Sequence, residues 1–123
     1  MRVSRVRLVL AFVILIVGAL PGAAQEACVE PTTPAALDGQ LSPDRMRAAL
    51  ADARNFIAQS SLYQSCLLKE VEAAKQQAAT SGMPFEPMIE TSARLKIAAS
   101  AKAQDDVSMA VNRAITAARL PPN

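Results

Sequence analysis

Two cysteines, Cys28 and Cys66, have more chemistry open to them than any other residues in this chain. A cysteine pair can form a disulfide, carry electrons or hold a metal ion. Redox pairs usually stand two residues apart, and metal pairs usually share their site with further cysteines or histidines. Here the two are far apart and the chain contains no histidine. That pattern favours a structural disulfide over a redox or metal pair. Closing a loop of this length stabilises an unstrained fold by roughly 4 kcal/mol on the chain-entropy account.

The other polar groups offer less. Glu86, Glu90 and Arg94 fall at successive i, i+4 positions. They read either as two carboxylates for a divalent cation or as a solvated helix start with an ion pair to Arg94. The second reading is preferred, because acidic residues complement a helix N-terminus. Glu70 and Glu72 diverge on a helix, as do Asp105 and Asp106, and Glu72 is within reach of Lys75 or Gln76. Ser60, Ser61 and Ser65 have no histidine to activate them. There is no glycine-rich phosphate loop. No catalytic, cofactor or metal residue is therefore assigned, and the chain is expected not to be an enzyme. Met83, Phe85 and Met88 flank a proline-rich turn. They are candidate partner contacts, although a cluster that merely closes the end of a hairpin is the commoner arrangement.

The elements that must position these residues begin with the amino terminus. Arg2, Arg5 and Arg7 precede an apolar run from Leu8 to Leu20, broken by Pro21-Gly22. Gly22-Ala23-Ala24 places small residues before a cut after Ala24. This is the layout of a secretory signal peptide over residues 1–24, in preference to an uncleaved anchor beginning at Val6. The apolar run is shorter than the roughly 20 residues a membrane-spanning helix needs. Export also places the cysteines where a disulfide persists.

The chain of 123 residues carries a formal charge of +2, but the three leading arginines account for that sign. Without them, ten basic residues face eleven acidic ones. Nucleic-acid binding normally needs a concentrated basic face, so none is expected.

Residues 25–42 hold Pro31, Pro34 and Asp38-Gly39, a composition that opposes helix and strand alike. An extended arm is expected there. Val29, Ala35, Ala36 and Leu37 either pack on the following helix or hang loosely from the disulfide. Ser42-Pro43-Asp44 then starts a helix: serine caps, proline suits the first position and aspartate suits the dipole. Met46, Leu50, Ala53, Ile57, Leu67, Val71, Ala74 and Ala78 follow at spacings of three and four, with Ser60 and Gln64 in the two middle slots. Phe56, Gln59, Tyr63 and Cys66 form a neighbouring line, expected to receive the arm. Gly82 ends this helix at about residue 81, after some 57 Å at a rise of 1.5 Å per residue.

A second helix is expected over about 87–119. One face of it reads Met88, Ser92, Leu95, Ala99, Ala103, Val107, Val111, Ala114 and Ala118, with Ile115 flanking. The short connection makes the two helices an antiparallel hairpin. The predicted fold is all-α: a two-helix hairpin over residues 43–120, with the amino-terminal arm stapled to its first helix by Cys28–Cys66.

Cys28-Val29-Glu30-Pro31, Asp38-Gly39, Phe56-Ile57, Ser61, Tyr63 and Cys66-Leu67 resemble a group of small exported proteobacterial proteins without assigned activity. These share a Cys-x-x-Pro arm and a Tyr-x-x-Cys-Leu helix. The resemblance spans roughly residues 28–70. It implies a periplasmic setting and the same cysteine pairing, and it carries over no catalytic residue. The expected role is binding or structural, in the cell envelope, with a small periplasmic chaperone or stress factor as the alternative. A protein partner is expected, no membrane span once the signal is cut, and a monomer or homodimer.

Overall fold

A computed structural model describes residues 27–119; the expected signal peptide and its cut after Ala24 lie outside them. Two helices make up the regular structure of the described residues, α1 (Pro43–Ser81) and α2 (Pro87–Arg119). No helix among them is long and apolar enough to cross a membrane.

The ends of α1 follow from local chemistry. Ser42 is extended, and its hydroxyl accepts the Arg45 N–H at 3.3 Å. Its carbonyl takes the Met46 N–H at 2.9 Å, while Pro43 occupies a position that needs no donor. At the other end Gly82 adopts φ +68°, in the left-handed region. The Gly82 N–H then returns to the Ala79 carbonyl, and the Met83 N–H to that of Ala78. This doubly bonded cap satisfies carbonyls the helix would otherwise leave open.

The chain reverses over residues 82–86, and α2 runs back along α1. Cross-helix hydrogen bonds and ion pairs give the register: Ile57 meets Gln104, Gln64 meets Ser100, and Lys75 meets Glu90. Two apolar clusters lie along the contact. Ala53, Phe56, Val107 and Val111 form one, with Leu37, Leu50, Ile57, Ala103 and Ile115 against it. Tyr63, Leu67, Val71 and Ala93 form the other, with Cys28, Phe85 and Ile97. Between the two, along both helices, sit Ser60, Gln64, Ser100 and Gln104. Gln64 Nε2 donates to Ser100 Oγ at 3.1 Å, and Gln104 Nε2 to the Ile57 carbonyl at 3.2 Å. Ser60 is fully buried and its hydroxyl has no hydrogen-bond partner.

Ala53, Leu67 and Val71 of the expected α1 face are buried; of its polar slots, Ser60 is buried and Gln64 half-buried. Phe56 and Tyr63, expected to receive the arm, also pack with Val107, Val111 and Ala93 of α2, and Gln59 is exposed. The contact face of α2 differs in its first half. Met88, Ser92, Leu95 and Ala99 are exposed, and Ala93, Ile97 and Ser100 take their place. The reason is geometric. Steps of four from Ala99 to Val111 each overshoot one turn by about 40°, so the expected line drifts about a third of the way round the helix. Val107 and Val111 hold the inner end of that drift, which leaves Met88 and Leu95 outside. Ala118 is also exposed.

The arm runs from Ser42 back toward Cys66, bending at Gly39, where φ is +71°. Cys28 is bonded to Cys66. Leu37 packs on the first cluster and Leu41 is buried. Ala35 and Ala36 are exposed, and Val29, also expected to pack, is 81% exposed. Side chains of an extended segment alternate in direction, so a Cys28 turned inward leaves Val29 turned outward.

Two outcomes follow from this packing. Cys66→Ala should lower the melting temperature, by up to about 4 kcal/mol of stability, while far-ultraviolet circular dichroism keeps most of its helical signal. Ser60→Ala should raise stability by about 1 kcal/mol in thermal or urea unfolding, because it removes a buried hydroxyl without a partner. A clear loss of stability would mean that this hydroxyl is satisfied in solution.

Candidate functional site

The chemistry-bearing residues gather at two places, the disulfide corner and the turn end. Cys66 stands on α1 one turn before Glu70, so the two share a face. The Cα atoms of Cys28 and Cys66 are 5.7 Å apart. Glu70 Oε1 accepts the Cys28 N–H at 3.4 Å, which ties the arm's backbone to α1 independently of the sulfur bond. The two sulfurs and a Glu70 carboxylate oxygen all lie within 4.8 Å of one another.

Tyr63, one turn earlier, is buried in the second cluster. Burial pushes its phenol above the ordinary tyrosine value, and the carboxylates of Glu30 and Glu70 add to the effect.

At the turn end, Phe85 is half-buried against the turn side of the second apolar cluster. Lys75 Nζ lies 5.6 Å from its ring centroid. The same ammonium pairs with Glu90 at 2.9 Å, and Glu90 also pairs with Arg94 at 2.5 Å. These contacts, that of Lys75 first, hold the Glu90 carboxyl below the usual carboxylate range. Glu90 is therefore engaged in ion pairing, and the candidate pair Glu86–Glu90 resolves to an ion-paired helix start. Of the three candidate partner contacts, Phe85 closes the hairpin end. Met83 and Met88 project into solvent, 68% and 65% exposed. Leu95, two turns beyond Met88 on the outer face of α2, is 68% exposed.

One groove lies against the arm and another toward the turn. The first, of about 410 Å³, is walled by Leu37, Leu41, Val107 and Val111 and floored by small residues such as Ala49 and Ala53. The other, of about 390 Å³, lies between the helices toward the turn, among Leu67, Val71, Met88, Ile89, Ala93 and Lys96, with Glu70 at its edge.

Sequence reasoning missed three of these residues. The spacing of Cys66 and Glu70 was enough to put them on one helix face. Lys75–Glu90 required the cross-helix register. Leu41 is an isolated leucine before a cap, a position where an apolar residue commonly packs on the first turns. No family model, curated protein or solved structure matches this chain.

The two shifted groups set opposite pH limits. Glu90 is favoured as carboxylate in the fold, so its stabilisation is present above the ordinary carboxylate value and lost as pH falls through the folded one. Tyr63 is favoured as neutral phenol, so its contribution is present below about pH 10 and lost above the folded value. Melting temperature against pH should decline at both ends. Glu90→Gln should flatten the acid side and Tyr63→Phe the alkaline side, each relative to the parent protein.

Proposed function

We propose that this chain is an exported, non-enzymatic binding protein of the cell envelope, periplasmic or secreted, which engages a protein partner through its turn end. One observation carries the reading: Met83 at the turn and Met88 and Leu95 on the outer side of α2 are each about two-thirds exposed. Exposed clusters of large apolar side chains on a small protein favour an interaction role. Methionine adapts its shape to a facing surface, which suits such contacts. The resemblance over residues 28–70 to small exported proteobacterial proteins supports the setting. So does the signal-like amino terminus, and so does the disulfide. The alternative, a small chaperone, draws on the same flexible methionines: it would take up many client chains where the first reading expects one partner.

Photocrosslinking from Leu95 in intact envelopes separates these readings, with an exposed polar position such as Gln77 as control. One defined adduct, lost on Met88→Asp with helical circular dichroism retained, supports the binding protein. A broad ladder of adducts supports the chaperone. Adducts no stronger than those from Gln77 would remove the turn end as an interaction surface. Mass spectrometry of the same material should give a chain that starts at Gln25 and is two hydrogens lighter than the dithiol form.

A further inference from the structure

The sequence assigns no metal ligand, but the folded chain brings three donors together. Cys66 and Glu70 stand one helical turn apart, a spacing at which two side chains can chelate one ion. Cys28 arrives from the arm as a third donor, and all three donor atoms lie within 4.8 Å of one another. We infer that the dithiol form of this protein binds a thiophilic divalent cation of the zinc class through Cys28, Cys66 and Glu70.

The geometry needed is modest. Zinc–sulfur bonds of about 2.3 Å in a tetrahedron set two sulfurs about 3.8 Å apart. Side-chain rotation reaches that separation from Cα atoms 5.7 Å apart. Besides the sulfur bond, the arm touches the hairpin through the Cys28 N–H on Glu70 Oε1 and through Leu37 and Leu41. A Glu70 carboxylate oxygen lies with the two sulfurs and is the third ligand. The Glu70 carboxylate beside the two sulfurs brings negative charge to the site, which favours a cation. Softness selects the ion: two thiolates and one carboxylate suit zinc or cadmium better than calcium or magnesium. Three protein ligands leave a fourth position for water.

The chemistry balances in two steps. A dithiol reductant gives two electrons and two protons to the Cys28–Cys66 bond and is itself oxidised to a disulfide. Binding of the divalent ion then displaces one proton from each thiol. The metal site and the disulfide are therefore alternative states of one corner, and the redox condition of the pair decides which exists.

The test uses the exported full chain, reduced with dithiothreitol and freed of it by anaerobic gel filtration, then titrated with cobalt(II). A thiolate-to-cobalt charge-transfer band should appear and saturate at one ion per chain. The oxidised protein and Cys66→Ser should lack that saturating band. Glu70→Gln should keep the band but lose at least the roughly tenfold in affinity that removal of a supporting group alone commonly causes. Zinc should displace cobalt and slow reoxidation of the pair by air. Three results would overturn the assignment: no band in a reduced chain that keeps its helical circular dichroism, saturation at one ion per two chains, or titrations of Glu70→Gln and parent that superimpose.

Discussion

Two helices laid side by side share one line of contact, and most of each circumference stays in water. In this chain much of that line is small: Ala53, Ser60, Ala93 and Ser100 are among its buried residues. Burial at about 25 cal/mol per Å² yields little from such side chains. The bulkier buried groups of α1, Phe56, Tyr63 and Leu67, need a third wall, and the arm supplies part of it through Leu37 and Cys28. An arm interrupted by Pro31 and Pro34 cannot hold itself in place by a regular backbone ladder. The sulfur bond at Cys66 answers this. It fixes the free end of the arm over the hairpin, while Leu41 and the Ser42 cap fix the end joined to α1.

The polar belt has a different part in the same architecture. An alanine-rich interface specifies register weakly, since sliding one helix by a turn exchanges one small side chain for another. Gln64 on Ser100 and Gln104 on the Ile57 carbonyl are satisfied in one alignment, and a slide would leave polar groups buried without partners. Lys75–Glu90 marks the same alignment nearer the turn. Ser60 is the exception, a buried hydroxyl without a bond. It favours the present packing only through its small volume.

The sequence was most legible where local chemistry decides. Ser42-Pro43, Gly82 and Pro87 fixed the helix ends through capping and proline geometry that need no tertiary contact. The cysteines were legible because a chain with two of them permits one intramolecular bond. The inner face of α2 was legible only from Ala103 onward. In an alanine-rich helix several lines of small residues satisfy the same spacing, and the phase is set by what lies opposite. Phe85 and Glu90 carry that information, through contacts with residues on α1. The same holds for the site. Glu70 was in view as a carboxylate, but its meeting with Cys28 depends on where the arm crosses α1, which no local pattern encodes.

That crossing point divides the hairpin into unlike halves. From the start of α1 to Cys66 the arm lies over the helices, and Leu37 and Leu41 meet residues that two helices alone would leave wet. Beyond Glu70 the arm no longer covers the hairpin in the described residues. There the groove between the helices continues among Leu67, Val71, Ile89 and Lys96. Met88 borders that groove and is itself largely exposed, so the groove and the outer face of α2 meet at one residue. The drift of the apolar pattern along α2 produces this arrangement. A helix whose apolar line stayed on one face would have buried Met88 and Leu95 against α1. The turn end is therefore apolar on its outside because the partner-facing phase was taken by Ala93, Ile97 and Ser100 instead. Burying so much small surface inside while leaving methionine and leucine outside makes poor sense for the stability of a lone hairpin. It is intelligible if part of the apolar surface of α2 is completed by another molecule.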